Sequence, residues 1–297
     1  MKTALITTRD PQGLHAVSLF EVVYNKAKLT FEEAQRFNEN GGELQTDMMA
    51  VIRKHSATNQ YANEETSSNY AYPKEYGGPK TILDQIKLIG AMFGLETAQA
   101  IEFAKNLPAL PEGAEGWFAI PKVSAIAKKY FPAITDNSAQ YCEAVKLVLE
   151  KIKSSRSFYN YREGQIVPGK LRQSARTANA LEALEKEQLG DILIIAAQYG
   201  MRHRGQSVRR ARETFTSNEF GLGAFAIGCM NLVHPERFIR FEELDPDCAG
   251  DEFSLGGDGV FSRAPLFGFS VGRLEFGTSA VDFVSGIYGS ASAFLPQ

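Results

Sequence analysis

The chain has 297 residues, 44% of them hydrophobic, and a formal charge of −3. That length buries a real core in roughly one to three domains, and the composition excludes a disordered or fibrous chain. The slightly acidic balance excludes a protein that holds nucleic acid by overall charge, so such a partner needs a local basic patch.

The opening MKTALITTRDPQG has an apolar run that Arg9 and Asp10 cut too short for a secretory signal, and no later stretch is long and apolar enough to span a bilayer. Cys142, Cys229 and Cys248 are odd in number and far apart, so they read as reduced thiols, and the expected location is the cytoplasm. No Cys/His pair has zinc-ligand spacing, so no metal site is expected, and no motif names a cofactor. In LTFEEAQRFNENGG, Thr30 and Glu33 make a capping box and Gly41-Gly42 a stop. ELQTDMMAVIRKH continues as a second helix. Residues 56–80 are polar, rich in Ser, Asn and Tyr, and close on Pro and Gly, which reads as a long loop.

Order resumes at TILDQIKLIGAMFG, where Thr81 caps a helix with an Ile/Leu face, and LETAQAIEFAKNL adds a shorter one. PALPEGAEG reads as the main domain break. WFAIP is a short strand, followed by a helix after Pro121. SAQYCEAVKLVLEKIKSSRSF and GKLRQSARTANALEALEKEQ are amphipathic helices, the first capped by Ser138. GDILIIAAQYG is an apolar strand buried on both faces. GAFAIGCMNLV, APLFGFSV, GRLEFG and AVDFVSGIYG read as strands divided by glycine. The expected fold class is α+β: a mostly helical region over 1–112 with a polar loop at 56–80, then a mixed to β-rich α+β domain over 113–297.

Charge is uneven. Residues 151–212 hold thirteen Lys/Arg against five acids, whereas 213–297 hold four against twelve. YGMRHRGQSVRRARE concentrates the positive charge in a strand–turn–helix outline. Ser207 is a good N-cap, which sets Arg209 and Arg210 beside the positive end of a helix, where cations are disfavoured unless something offsets them. A bound phosphate or carboxylate does so, and Arg202, His203, Arg204, Ser207, Arg209, Arg210 and Arg212 are the candidate anion-binding residues. Internal pairing with Asp247, Asp251 or Glu252 is the competing account. The glycine spacing fits neither a P-loop nor a dinucleotide fingerprint. Phe158, Tyr159 and Tyr161, interleaved with Arg156, Arg162, Arg172 and Arg176, suit either base stacking or an ordinary core with a solvated face. VHPERF offers His234 and Arg237. His203 or His234 with Asp247, Asp251 or Glu252 is the candidate acid–base set, with no nucleophile beside the acidic stretch.

FYNYREG, LRQSARTA, GMRHRGQSVRRARE, NEFGLGAFAIGC, HPER, DCAGDE and YGSASAFL together resemble a group of uncharacterised bacterial hypothetical proteins over roughly residues 110–297, a resemblance that implies no activity. The expected function is binding of a nucleic acid or a phosphate-bearing ligand at the Arg-rich site. The alternatives are an enzyme on an anionic substrate, or an assembly protein whose positive middle meets the negative tail of another copy as a homo-oligomer.

Overall fold

A computed structural model describes residues 7–56, 59–241 and 243–296. The opening apolar run and the start of the polar loop lie largely outside them. The fold is α+β, helices first and two sheets after, and its two compact units are Met1–Ala57 and Thr58–Gln297. Among the described residues no helix is long and apolar enough to cross a membrane.

The first unit is three helices: α1 (Pro11–Ala27), α2 (Phe31–Glu39) and α3 (Gly41–Ser56). The sequence reading assigned nothing to α1, which starts on Pro11 at the position where a missing N–H costs nothing. The Thr30 capping box is present, with Thr30 Oγ1 accepting from the Glu33 N–H and the Glu33 carboxylate accepting from the Thr30 N–H. Gly41-Gly42 opens α3 rather than a loop. No described side chain of this unit is buried. Val17, Leu19, Phe20, Val23, Phe31 and Ile52 are exposed, Phe31 by 84%.

The second unit begins with a segment of turns, residues 59–80, and continues through α4 (Ile82–Phe93), α5 (Ala98–Phe103), β1 (Gly116–Pro121), α6 (Val123–Tyr130), α7 (Asn137–Ser155), β2 (Phe158–Asn160), β3 (Leu171–Gln173), α8 (Ala175–Glu187) and β4 (Ile192–Gln198). After the Arg-rich turn come α9 (Val208–Thr214), β5 (Glu219–Gly221), α10 (Ala224–Val233), β6 (Asp245–Asp247), β7 (Asp251–Phe253), β8 (Arg263–Ser270), β9 (Arg273–Ala280), β10 (Tyr288–Ser290) and β11 (Ser292–Phe294). One antiparallel sheet has the order β1-β4-β11-β5. The other runs β10-β6-β8-β7-β3, with β9 paired to β8 and β2 laid parallel on β9.

Every residue of β4 is buried, as its unbroken apolar run predicts. Ile86, Ile89 and Phe93 of α4, Phe118 and Ile120 of β1, Val145 and Val148 of α7, Ile227 of α10 and Phe276 of β9 share one core. The helices of residues 82–103 therefore belong to the same core as the sheets, and the Pro/Gly segment 108–116 joins α5 to β1 within the second unit. GAFAIGCMNLV, expected as a strand, is helix α10. It is apolar on all sides because it is buried on all sides, and an apolar run of that kind has no period to tell strand from helix. The N-cap of α7 is Asp136, which accepts from the Ala139 N–H at 2.7 Å, rather than Ser138.

Two devices place the functional surface. Gly200 follows β4 at φ +129°, and a Cβ there would strike the backbone of Gly289, so the Arg-rich turn is pressed against β10. Segment 59–80 straps the same turn. Glu65 bridges Gln206, Thr66 N–H donates to Gly205 O at 2.8 Å, and Ser207 N–H donates to Glu64 O at 3.0 Å. At the far end of the strap Leu244 N–H donates to Ala71 O at 3.0 Å.

Candidate functional site

The Arg-rich stretch folds into the predicted outline, with Ser207 Oγ accepting from the Arg210 N–H at 3.1 Å and Val208 and Ala211 turned inward. Its cations are engaged by carboxylates of the strap. Arg209 Nε donates to both oxygens of Glu64, at 2.9 and 2.8 Å, and lies 3.8 Å from Asp282. Arg210 pairs with Glu65 and, at 2.9 Å, with Glu213. Ser207 Oγ also donates to Glu64 at 2.6 Å. Pairing is thus internal, but the acids are Glu64, Glu65, Glu213 and Asp282, not those of 245–258. Sequence distance hides them, since more than 140 positions separate Arg209 from Glu64.

The other members are dispersed. Arg212 donates to the carbonyl oxygens of Ala249 and Asp251, at 2.9 and 2.7 Å, and so clamps the β6–β7 turn. His203 is buried, with Nε2 2.7 Å from Glu219 Oε1 and Nδ1 3.1 Å from Gln206 Oε1. Burial pushes the Glu219 carboxyl up, but His203, Ser292 and Arg202 together outweigh it and hold the group below the usual carboxylate range. Arg202 Nε lies 3.4 Å from the same carboxylate. Arg204 stands apart: it is exposed, and among the described residues its guanidinium hydrogen-bonds the neutral Tyr70 O at 3.1 Å and Met201 Sδ at 3.3 Å.

His234 does not meet Asp247, Asp251 or Glu252. Its Nδ1 is 3.4 Å from Glu236, and burial, then Lys80, pushes its pKa down to about 4, so the ring is neutral at pH 7. Asp251 accepts from Tyr141 Oη at 2.7 and 2.8 Å and from the Ala224 N–H at 2.7 Å, at the start of α10. Burial raises Asp251 and Asp247 to about 7 each. Glu252 is bound to Arg172 at 2.7 Å. These are fold-bearing partnerships and assemble no acid–base pair. The interleaved arginines of 156–176 likewise serve the fold: Arg156 donates to the carbonyl oxygens of Pro235 and Phe238, and Arg172 also lies 3.6 Å over the Phe261 ring. Among the described residues no group of three His, Cys, Asp or Glu side chains is placed to hold a metal.

A different constellation is unsatisfied. Arg237 is fully buried. Its Nη2 donates to Leu244 O at 2.6 Å, while Nε and Nη1 have no hydrogen-bond partner among the described residues. Its Cζ lies 4.0 Å from the Tyr72 ring centre, with Phe238 at 4.8 Å and Tyr199 at 5.4 Å. The aromatic faces offset part of the cost of burying the cation; among the described residues no carboxylate forms an ion pair with it, although its charge lowers the nearby Glu115, Glu243 and Asp245. Tyr72 donates to Glu115 and accepts from the Met201 N–H at 3.0 Å. Burial raises both Tyr72 and Glu115. Behind them Tyr76, Tyr199, Phe118 and His234 close a ring of four edge-to-face contacts, centroids 5.6–5.8 Å apart. The hydroxyls of Tyr76 and Tyr199 and Nε2 of His234 are also without partners there.

Tyr72, which packs on Arg237, also lines an open cleft of about 660 Å³ with Asn69, Tyr70, Lys74, Arg240 and Glu243. Arg240 is held by Glu75 at 2.8 Å and by Glu243 at 3.4 Å. Burial raises Glu243, whose Oε2 is buried without a partner among the described residues. The sequence flagged His234 and Arg237 but missed Tyr72, Tyr76, Glu115, Tyr199 and Glu243. The available signal was NYAYPKEYGG, three tyrosines inside an otherwise polar loop.

No protein-family model, curated protein or solved structure matches this chain.

Proposed function

We propose that the Thr58–Gln297 unit binds a small ligand carrying a phosphate or carboxylate, received at the Tyr72 cleft with Arg237 as its anion partner. One observation carries the reading. A fully buried guanidinium with two donors unfilled among the described residues packs on Tyr72, a residue that lines a solvent-open cleft. Unfilled buried donors and an unpaired buried charge are costly, and an incoming anion removes both costs at once. Lys74 and Arg204 stand exposed near the cleft mouth and add favourable potential. The nucleic-acid form of the reading draws less support, because Arg209, Arg210 and Arg212 are already engaged. The enzyme form draws less support, because His234 meets Glu236 rather than Asp247, Asp251 or Glu252. Cys142, Cys229 and Cys248, free and buried, fit a cytoplasmic protein.

The test is a melting series with inorganic phosphate and with acetate, each against chloride of equal ionic strength, beside labelled single- and double-stranded nucleic acid over a salt range. Saturable stabilisation of the wild type that is lost in Arg237→Met supports the reading. Stabilisation no greater than chloride gives overturns it, and tight salt-sensitive nucleic-acid binding lost in Arg209→Ala/Arg210→Ala restores the Arg-rich stretch as a phosphate surface.

A second reading, self-association, rests on the first unit. Its described side chains include none that is buried, yet Val17, Phe20 and Val23 of α1 and Phe31 of α2 are exposed. Another copy covering these residues would supply the missing core. Light scattering of the full chain should then show an oligomer that Val17→Glu/Phe20→Glu dissociates and that salt does not. A monomer at all concentrations refutes this reading.

A further inference from the structure

We infer that residues 59–66 form an electrostatic latch: the carboxylates of Glu64 and Glu65 occupy the Arg209–Arg210 surface in place of phosphate, and a phosphate-bearing polyanion displaces them. The inference is independent of Arg237 and of the Tyr72 cleft. Glu64 is gripped as a bound anion would be. Both its oxygens accept from Arg209 Nε, at 2.9 and 2.8 Å, Oε1 also accepts from Arg209 Nη2, and Oε2 accepts from Ser207 Oγ at 2.6 Å. Glu65 pairs with Arg210 Nε, and Asn59 Oδ1 accepts from Arg210 Nη1 at 2.7 Å. The Tyr61 ring centre lies 4.5 Å from Arg209 Cζ. Guanidiniums and a hydroxyl are the groups that recognise phosphate oxygens, and here they converge on the chain's own carboxylates.

What holds the segment decides how it is released. None of residues 59–71 is buried, so no apolar core anchors them. The Gln60 and Tyr61 N–H groups donate to Glu213, at 2.7 and 3.1 Å, and backbone bonds join Glu64 O to the Ser207 N–H and the Thr66 N–H to Gly205 O. The rest of the attachment is ion pairs at a surface where the Arg209 side chain is 36% exposed and that of Glu65 40%. Exposed pairs contribute little singly and are screened by salt, so a chain of phosphates that repeats the same charge competes with them. Displacement leaves Glu213 beside Arg210 and Asp282 beside Arg209, with the exposed Arg204 as a third cation. The apparent affinity of the native chain is then its intrinsic affinity reduced by the fraction of molecules with the latch open, and removing the latch restores it.

The experiment is fluorescence anisotropy of labelled single- and double-stranded oligonucleotides, with unlabelled inorganic polyphosphate as competitor, at low and physiological salt. It compares the full wild-type chain, Glu64→Gln/Glu65→Gln, the same pair combined with Arg209→Ala/Arg210→Ala, and Glu182→Gln/Glu187→Gln on α8 as a charge-matched control, each first checked for a cooperative melt. The expected result is at least a tenfold gain in affinity in Glu64→Gln/Glu65→Gln, no comparable gain in the control, and loss of the gain when the arginines are removed. Polyphosphate should displace either oligonucleotide, and one that it cannot displace overturns recognition through phosphate. Hydrogen exchange of the wild type decides the matter even where a variant fails to fold: saturating polyphosphate should speed exchange of the 59–66 amides. No gain over wild type, a gain matched by the control, or binding with 59–66 still protected overturns the latch.

Discussion

Replacing Arg237 with methionine isolates the cost of the buried cation. Methionine keeps much of the side-chain length and packs against Tyr72 and Phe238, so little cavity is left. Three contributions compete. Removing an unpaired buried charge stabilises by roughly 1–4 kcal/mol, judged from ion groups replaced by apolar ones. Losing the donor to Leu244 O, at 2.6 Å, costs about 1–3 kcal/mol because that carbonyl is then unsatisfied. Losing the cation over the Tyr72 ring, at 4.0 Å, costs up to about 2 kcal/mol. The sum centres near zero and spans about 4 kcal/mol of loss to about 3 kcal/mol of gain, a melting-temperature change no larger than roughly 8–16 °C for a unit of this size. Denaturant unfolding, monitored by tyrosine fluorescence at constant m-value, measures it. A loss above about 4 kcal/mol would refute the reasoning, since it would make the guanidinium a paired structural keystone rather than an unfilled site.

Arg209→Ala with Arg210→Ala should lower the melting temperature and free residues 59–68 to proteolysis, because those guanidiniums tie Glu64 and Glu65 of the strap to α9; unchanged cleavage there would show the strap is held by its backbone bonds alone. Burial raises Asp245 to about 8 and Asp247 to about 7, so the folded state holds protons that the unfolded state releases from about pH 4 upward. Their contribution should therefore fall as pH rises through 7–8, and Asp247→Asn should flatten the slope of the denaturant midpoint between pH 5.5 and 8. His234, lowered to about 4, acts in the opposite sense only between about pH 4 and 6.5, and an unchanged slope in Asp247→Asn would count against the buried-acid account. Gly289→Ala should prevent folding or cost several kcal/mol, since a Cβ would overlap the Gly200 carbonyl oxygen; near-normal melting would disprove the close approach. Burial pushes the Cys142 thiol up to about 12 and Cys248 higher than usual, so a thiol reagent should react with the native chain only after denaturant is added.

The sequence by itself determined the elements whose signals are local. The Thr30 capping box, the Thr81 and Ser207 caps, the apolar faces of α4 and α7 and the doubly buried β4 are all set by residues within one turn or one strand of each other, and they are present as read. It also delivered the α+β order and the inward stripe of α9. It failed where an element is apolar on every side, as in α10, because burial on all faces erases the period that separates strand from helix. The site lay beyond it for a related reason. Whether a guanidinium is free depends on which carboxylate reaches it, and Arg209 finds Glu64 across most of the unit while Arg237, in an unremarkable VHPERF, keeps Nε and Nη1 without a partner among the described residues. Tyr72 and Glu115 meet only because strap and sheet are folded together. Local chemistry fixed where the charges and rings stand along the chain, and tertiary packing alone decided which of them were neutralised and which were buried without a partner.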